Sequence, residues 1–434
     1  MENANNGYHY IVMLKQETPM WHFQSEQPGC CLRASEVKPK LDRFLNAKNP
    51  EKYILPLKYK IYFEVEEGAR VTIDEKNNFG KGNFPIYFGN MNEANKHLVF
   101  YTKPIQMHLF SFDNQLLNEI EAVLSKFFAC HSFGMRQDKG FGCFYPKDKD
   151  FDNSEASYSF NTTLSQDTSL TGEFQQLFKF IEMFHKMIRS GVNIPNHRSP
   201  EKKKYCKSFM FHYVQNRLNE IWDKPVIRHH FCLTHPTYLQ KCGKKENKFV
   251  RDEMKRLYPI LEEARQKQYD GKRNLFRDAL GLSGIQEWKA YDDTLTIEGK
   301  GQYGGYPVSI KRFKSPIFYR PVQKKGVNYK GEVSYYYTVY IYLAPIPAAY
   351  REAEFTLADK SSKEGIDSKT LLTGMKIYPE FSLENYLDYV IEYCLEKDLE
   401  MIGYDKYINQ LFMRKKNEKT GKYRLNFRKL TPKK

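Results

Sequence analysis

Residues 131–145, HSFGMRQDKGFGCFY, combine glycines with an arginine and a lysine. Glycine lets a backbone N–H approach a phosphate without a side-chain clash, and Arg136 and Lys139 add positive charge. The glycines of this segment are Gly134, Gly140 and Gly142. The same pattern also fits a simple turn with two solvated cations, so the residues alone leave both interpretations open.

The spacing of this segment excludes the common nucleotide-binding loops. Gly134 and Gly140 are separated by five residues, one more than a Walker A loop has, and Phe141 stands where its lysine belongs. No GxGxxG follows a strand and opens a helix, as a dinucleotide fold requires. Lys139–Gly142 match four positions of the RNP1 octamer, but Cys143 fails the fifth. We therefore do not expect Phe141 to be a base-stacking platform.

One segment offers the donor atoms of a zinc site. Its candidate ligands are His229, Cys232, His235 and Cys242. Four nitrogen and sulfur ligands can close a tetrahedral site, but this spacing matches no regular zinc finger. We expect no metal and no cofactor.

Histidines are also the candidates for RNA cleavage without a metal. That reaction needs a base for a 2′-OH and a cation for the developing charge. The candidate bases are His22, His108 and His131, with Arg33 or Lys38 as the cation. A single histidine is more often a structural hydrogen-bond partner, so catalysis is the alternative and not the main hypothesis.

Hydrophobic periodicity predicts the elements that position the glycine segment. Residues 8–14 form a buried strand, and 57–67 alternate with one apolar face, namely Leu57, Tyr59, Ile61, Phe63 and Val65. A helix with Ser35 as its cap is expected to start near Pro39. Residues 114–131 have helical spacing, with Leu117, Ile120, Leu124 and Phe127 on the apolar face. The resulting order of strand, helix, strands, helix, loop and strand is that of a ferredoxin-like βαββαβ unit.

The second half repeats this composition after a helical region. Residues 173–222 are predicted to be helical, 224–283 to be basic and mostly helical, and 382–400 to form the last helix. We therefore predict an α+β protein of tandem ferredoxin-like (RRM-like) domains with a helical insertion. The predicted boundaries are 1–165, 166–285 and 286–434, the last with a basic tail from residue 413.

The charge balance indicates the class of partner. The 434 residues carry 68 Lys and Arg against 52 Asp and Glu, a formal net charge of +16. Such an excess favours an anionic partner, and nucleic acid is commoner than a membrane surface. The first thirty residues lack the pattern of a signal peptide, and no uncharged run is typical of a membrane span. We expect a cytoplasmic protein that does not bind membranes.

Short stretches along the chain resemble the RAMP superfamily of CRISPR proteins, which serve in antiviral defence. The G-x-R-x-x-x-G-F-G pattern of the loop is similar to the superfamily's glycine-rich loop, and residues 18–44 resemble its opening motif. VSIKRFKSPIFYRPV at 308–322 and LFRDALGLSG at 275–284 resemble the Cmr-type branch, a type III-B effector subunit at the guide's 3′ end. The opening helix lacks the arginine-rich pattern usual in that branch, so another RAMP subunit of the complex remains an alternative.

The resemblance implies tandem ferredoxin-like folds, binding of guide RNA (crRNA) and target RNA, and sister RAMP subunits in one effector complex. It also implies that other subunits cleave the target. The expected phosphate contacts are Arg33, Lys38, Lys40, Arg43, Gly134, Arg136, Lys139, Gly140, Gly142, Lys311, Arg312, Lys314 and Arg320. The alternative is a guide-processing endoribonuclease that uses His22 as its base.

Overall fold

The structure, a computed structural model, combines α-helices with mainly antiparallel strands, which is the predicted α+β class. The described residues are 8–21, 31–73, 98–162, 164, 169–196, 199–220, 222–224, 227, 274–288, 293–303, 305–327, 333–359, 372–397, 399, 408, 411–412, 414–416 and 423–431. The chain forms two compact units and passes between them more than once. Unit 1 is Met1–His185, Ile317–Leu343 and Tyr393–Lys434, and unit 2 is Lys186–Pro316 and Ala344–Glu392.

The first sheet of unit 1 comes from the N-terminal part of the chain. Its elements are β1 (His9–Gln16), α1 (Ala34–Lys48), β2 (Lys60–Glu64), β3 (Arg70–Ile73), β4 (Leu98–Tyr101), β5 (Ile105–Phe110), α2 (Asn114–Cys130) and β6 (Phe144–Pro146). The sheet has the order β2–β5–β1–β6 with antiparallel neighbours, while β3 and β4 pair separately.

Alternation along the strands gives this sheet a core face and an open face. Val12 and Leu14 of β1 are buried in one hydrophobic core with Leu41 of α1 and Leu124 of α2. The same core includes the whole apolar face predicted for the second strand, Leu57, Tyr59, Ile61, Phe63 and Val65. Among the described residues, α1 and α2 pack on this face of the sheet.

Helix α1 begins earlier than predicted. The expected cap at Ser35 and start near Pro39 are wrong, because the helix starts at Ala34 and Pro39 lies inside it. Arg33 holds the N-cap position without a side-chain cap bond. Proline in this second turn lacks the N–H that would reach the carbonyl of Ser35. Burial of the apolar face that begins at Val37 outweighs that one missing bond.

Helix α2 confirms the predicted helix at 114–131. Asp113 caps it, since its carboxylate accepts the N–H of Leu116 at 3.0 Å. All four predicted apolar positions are buried, namely Leu117, Ile120, Leu124 and Phe127. The glycine segment follows directly and leads into β6, as predicted.

A second sheet of unit 1 is assembled from distant parts of the chain. Its strands are β7 (Tyr158–Asn161), β16 (Ile317–Val327), β17 (Val333–Leu343) and β22 (Arg428–Lys429). Their order is β16–β17–β7–β22, again with antiparallel neighbours. Helix α3 (Leu170–Arg189) follows β7, and its Phe184 stacks on Phe160 and Phe412 and meets Phe427 edge-on, all in unit 1. A short pair, β20 (Arg414–Lys416) and β21 (Tyr423–Leu425), precedes β22.

Unit 2 contains the remaining elements. They are β8 (Val192–Asn196), β9 (Ser199–Cys206), α4 (Phe209–Asn216), β10 (Asn274–Leu275), β11 (Leu282–Ser283), β12 (Ile285–Trp288), β13 (Asp293–Tyr303), β14 (Tyr306–Ile310), β15 (Arg312–Phe313), α5 (Ala348–Arg351), β18 (Glu354–Asp359), β19 (Leu372–Ile377) and α6 (Leu383–Glu396), whose last turn from Tyr393 belongs to unit 1. The main sheet has the order β10–β19–β18–β13–β12, with β14 on β13. Most of the predicted helical stretch 224–283 lies outside the described residues, and residues 274–283 form short strands and a 3₁₀ turn rather than a helix. Among the described helices, none is long and apolar enough to cross a bilayer.

Candidate nucleic-acid interface

The glycine segment is a compact loop anchored to the chain that follows β1. The N–H of Phe133 donates to the carbonyl of Gly142 at 2.9 Å, which closes the loop on itself. The N–H of Gly142 donates to the carbonyl of Pro19 at 2.9 Å, and that of Met135 to the carbonyl of Trp21 at 2.8 Å. The loop is therefore held in one conformation by backbone bonds, as a binding loop must be if it is to present side chains in fixed positions.

Two of the glycines are required by close backbone contacts. Gly142 has a φ of +65°, and a Cβ there would lie 1.9 Å from the carbonyl oxygen of Phe133. Gly134 has a φ of +78°, and its Cβ would lie 2.5 Å from the carbonyl oxygen of Trp21. Neither position can accept a side chain without moving the backbone. The glycines thus have a structural role in the turn.

An internal carboxylate already occupies the anion-binding donors of the loop. The N–H of Gly134 donates to both carboxylate oxygens of Glu36, at 3.0 and 3.2 Å. The Nζ of Lys40 and the Nε2 of Gln137 each donate to Glu36 Oε1 at 3.0 Å. A backbone amide, an ammonium and a side-chain amide are the donors that a phosphate oxygen would use. In this structure Glu36 of α1 takes that place, and nothing in the spacing of the loop indicates it.

Arg320 supports the loop from the second sheet of unit 1. Its guanidinium donates to the carbonyls of Gln137 at 3.1 Å and Cys130 at 2.8 Å, and to its own neighbour Tyr319 at 2.9 Å. The residue is 4% exposed. A buried arginine bonded to three carbonyls fixes the path of the loop, while its expected phosphate contact stays a prediction.

Thr18 joins the two ends of the loop and was not among the predicted residues. Its hydroxyl donates to the carbonyl of Gly140 at 2.7 Å and accepts the N–H of Cys143 at 3.0 Å. The side chain is fully buried. The Thr-Pro dipeptide after β1 is the sequence signal that could have identified it.

Replacing Thr18 with valine is expected to lower the free energy of unfolding by about 2 kcal/mol. Valine keeps the shape but leaves the buried N–H of Cys143 without its partner, at a cost of about 1–3 kcal/mol, while the Gly140 carbonyl keeps a weak bond from the Cys143 thiol at 3.5 Å. Thr18→Ser keeps the hydroxyl and serves as the control. Urea denaturation of both variants checks the expectation, and a valine variant as stable as the serine variant would contradict it.

Some of the predicted cations around the loop form hydrogen bonds or ion pairs within the protein, and two others do not among the described residues. Lys38 donates to Asp42 at 2.9 Å and to the carbonyl of Leu57 at 2.9 Å. Lys139 pairs with Asp138 at 3.3 Å and is half-buried. Arg43 is exposed on α1, one turn beyond Lys40, and Arg136 and Arg33 are half-buried. Neither the Arg43 nor the Arg136 side chain has a hydrogen bond or an ion pair within the described residues.

His131 shows that several of these cations share one environment. Burial lowers its pKa to about 4, and the nearby charges of Arg320, Lys40 and Arg43 add to this effect. Lys40 also reaches the loop directly, through the carbonyl of Ser132 at 2.9 Å. We call the four cations on α1 and on the loop the loop patch, namely Lys40, Arg43, Arg136 and Lys139. Its members lie on α1 and on a loop that internal bonds hold in place, and cations on such supports suit phosphate contacts.

The depressed pKa of His131 predicts a pH-dependent stability. Between the unfolded pKa of about 6.5 and the folded pKa of about 4, the unfolded chain binds a proton that the folded chain does not. Stability is therefore lost as pH falls through this window, by up to about 3 kcal/mol from this residue. His131→Gln is expected to be less sensitive to pH than the wild type between pH 6.5 and 4. Urea titrations across this range measure the difference, and identical slopes would contradict the prediction.

The cations predicted for the second half do not form one group. Lys311, Arg312 and Lys314 are exposed on and beside β15 in unit 2, and Lys311 lies 3.7 Å from Glu298. Arg320 lies on β16 in unit 1 instead. The short segment 311–314 is therefore a basic surface of its own.

The other candidate residues fall into two classes. His22 and the four possible zinc ligands, His229, Cys232, His235 and Cys242, lie outside the described residues. Phe141 is buried and stacks on Phe178 with 3.8 Å between ring centroids, so it does not face solvent. Within the part of the chain that the structure describes, there is no group of three or more His, Cys, Asp or Glu that could hold a metal ion.

Comparison with known families identifies the chain. A model of the Cmr1 N-terminal domain matches residues 7–192, which include α1 and the glycine loop. A model of the Cmr1 C-terminal domain matches residues 205–419, which include the basic segment 311–314. The chain belongs to the Cmr1 family. A search of curated proteins and a search of solved structures each returned no match.

Membership of the Cmr1 family confirms the resemblance found in the sequence. The chain is a subunit of a type III-B CRISPR effector, a multisubunit complex with other Cmr subunits. Both Cmr1 matches contain residues that were singled out as possible RNA contacts.

Proposed function

We propose that the chain is a non-catalytic RNA-binding subunit of the type III-B effector. In this role it holds the 3′ region of the guide RNA, or the target RNA beside it. The observation that carries the proposal is the loop patch. Arg43 and Arg136 are cations without an internal partner among the described residues, beside a loop that internal bonds hold in one conformation. Such cations gain most from a phosphate, because they give up no ion pair on binding.

The tandem ferredoxin-like architecture forms part of this proposal. The first sheet uses β1, β2, β5 and β6 in the order second, third, first, fourth. The second sheet uses β7, β16, β17 and β22 in the same order, and α3 follows its first strand as α1 follows β1. The segment Lys186–Pro316 would then be an insertion between that helix and the second strand. This recurrence supports two ferredoxin-like units with insertions.

Side chains carry the proposed phosphate contacts, and the backbone amides contribute only after a rearrangement. The N–H of Gly142 is bonded to Pro19, and that of Gly134 to Glu36. A phosphate at Gly134 has to displace the Glu36 carboxylate, whereas one at Arg43 or Arg136 displaces no protein group within the described residues. The segment 311–314 and Arg33 are proposed as further contacts on their exposed or half-buried faces.

The guide-processing alternative has little support among the described histidines. His131 is half-buried, and its Nδ1 lies 2.9 Å from the carbonyl of Phe127, so at neutral pH it is an uncharged structural group. Burial also lowers the pKa of His108. His22 stays the candidate base of this alternative. Incubation with repeat-containing RNA in EDTA tests it: specific cleavage that His22→Ala abolishes would replace the binding role with a processing role.

Isolation from its native host tests the proposed role as a whole. We expect the tagged chain to bring down guide RNA together with sister Cmr subunits from the cytoplasm. The guide RNA in complexes isolated with and without this chain can then be compared for its protection from nuclease. Equal protection in the two complexes would overturn the RNA-holding role.

A further inference from the structure

The open face of the first sheet carries a group of aromatic rings that the loop patch does not include. Antiparallel register aligns three rows of side chains on this face across β2, β5 and β1. The rows are Lys60, Phe110 and His9; Tyr62, His108 and Ile11; and Glu64, Gln106 and Met13. Their neighbours in sequence point into the core on the other side of the sheet. Four of these nine positions therefore carry aromatic rings, all in the first two rows.

The rings form two groups, of which the first is stacked. Tyr62 lies parallel to His108, with 4.3 Å between centroids and 8° between planes. His9 stacks on His108 at 5.2 Å, and its Nε2 lies 3.0 Å from His108 Nδ1. The second group begins at Phe110, which contacts Phe112 edge-on at 5.1 Å beyond the end of β5. The sheet thus presents rings in fixed orientations rather than as mobile side chains.

The outer members of the two groups face solvent. Tyr62 is 44% exposed, and Phe112 is 86% exposed. Tyr8 contacts Phe112 with 6.4 Å between centroids and is 51% exposed. Single exposed aromatic side chains are normal on a protein surface. Several that lie together in one patch indicate an interaction surface.

The flanking charges favour RNA as the occupant. Lys58 and Lys60 are exposed on one side of Tyr62 along the chain, while the exposed Glu64 on the other side lies 3.5 Å from His108, which leaves the lysines at the Phe110 end of the face. Rings that stack on bases, combined with lysines that meet the intervening phosphates, are the two components of single-strand recognition. Aromatic rings are also common in protein interfaces, so the lysines beside the rings are what favours RNA over a protein partner.

We infer that this open sheet face binds single-stranded RNA by stacking bases on Tyr62 and on the Tyr8–Phe112 pair. The inference rests on the proposed RNA-binding function but concerns a site distinct from the loop patch. The loop patch would hold phosphates, and the open face would hold bases without selecting a sequence, since every base has a face that stacks. Burial lowers the pKa of His108, so its imidazole is uncharged at neutral pH. An uncharged ring is compatible with its position between Tyr62 and His9.

The test measures binding of the full chain to a short single-stranded RNA that contains 2-aminopurine, whose fluorescence falls when it stacks. We expect Tyr62→Ala and Phe112→Ala each to weaken binding roughly 10-fold and to remove part of the fluorescence quenching. The dependence of affinity on salt should not change, because no phosphate contact is lost. Tyr62→Phe keeps the ring and should bind as the wild type does. Tyr306→Ala, at a 76% exposed tyrosine in unit 2, is the matched control.

Three other outcomes would overturn the inference. If both alanine variants keep wild-type affinity and full quenching, RNA binds elsewhere on the protein. The inference would then be wrong, and the proposed function would stand. Unchanged RNA binding combined with failure of Tyr62→Ala to assemble with sister subunits would show that the face contacts protein. Absence of RNA binding by the wild-type chain, both alone and in its complex, would refute the proposed function together with the inference.

Discussion

Gly142→Ala is expected to destabilise the protein by roughly 3–5 kcal/mol, which is enough to abolish folding in many proteins. The residue has a positive φ of +65°, which costs an alanine free energy in itself. The larger effect comes from the Cβ, which would lie 1.9 Å from the oxygen, 2.9 Å from the carbon and 3.2 Å from the nitrogen of Phe133. These are backbone atoms, so no rotamer change relieves the clash. The bond between the Phe133 N–H and the Gly142 carbonyl would be lost with it.

Gly68→Ala separates the effect of the clash from that of the backbone angle. Gly68 has a similar φ of +74° in the same unit, but a Cβ there has nothing within 4 Å. This variant should lose only about 1 kcal/mol. Urea denaturation, or the yield of folded protein where the variant does not fold, measures both effects. Equal losses at the two glycines would mean that the loop adapts and that the close contact is unimportant.

Charge reversal of the loop patch is expected to have the largest effect on RNA binding. The double variant Arg43→Glu with Arg136→Glu removes the two cations that have no internal partner among the described residues. Two lost phosphate contacts should make the dependence of log affinity on log salt shallower by roughly 1.4 for a single strand. Affinity itself should fall on the order of 100-fold at low salt, across all RNA sequences. Lys139 should contribute less, because Asp138 already pairs with it.

A control with the same change in net charge shows whether position matters. Lys147 and Lys149 are exposed lysines just after β6, and neither is among the proposed contacts. The double variant Lys147→Glu with Lys149→Glu should bind RNA within a few-fold of the wild type. If both double variants lose the same affinity and the same salt dependence, RNA responds to the overall charge of the protein and not to the loop patch.

The first sheet could be predicted from local sequence patterns. The alternation from Leu57 to Val65 and the helical spacing of α2 each bury an apolar face, and that burial alone fixes which side of the element meets the core. Pro39 misled the prediction for α1, because a proline in the second turn costs one bond while the helix still buries its apolar face. Predictions from hydrophobic periodicity were correct for β2 and α2, where that periodicity matches the period of the element.

The second sheet could not be predicted in this way. β7 pairs with β17 and with β22, and these partners are separated by long stretches of chain that include most of unit 2. No periodicity within a strand specifies a partner so far away. The predicted boundaries at 165 and 285 followed changes in composition along the chain, whereas unit 1 takes residues from the beginning, from 317–343 and from the end.

The glycine loop could be recognised in the sequence, but its internal contacts could not. Glycines and cations between a helix and a strand drew attention to the loop, which is where the structure gathers the loop patch. Glu36 contacts Gly134 across 98 residues of sequence, and Arg320 contacts Gln137 across 183. Such contacts exist only once the fold has formed. They change the interpretation of the loop. The amides of Gly134 and Gly142 are bonded within the protein, so the proposed RNA contacts are the arginine side chains.

Crosslinking within the assembled effector tests the central claim most directly. A guide RNA with one 4-thiouridine near its 3′ end, irradiated in the complex and digested, reports which peptides lie beside that base. We expect crosslinks from this subunit, within residues 31–48 and 131–145 or on the open face of the first sheet, and their loss when the nucleotide is moved to the 5′ end of the guide. Crosslinks of the 3′ nucleotide to sister subunits alone, in a complex that contains this chain, would contradict it.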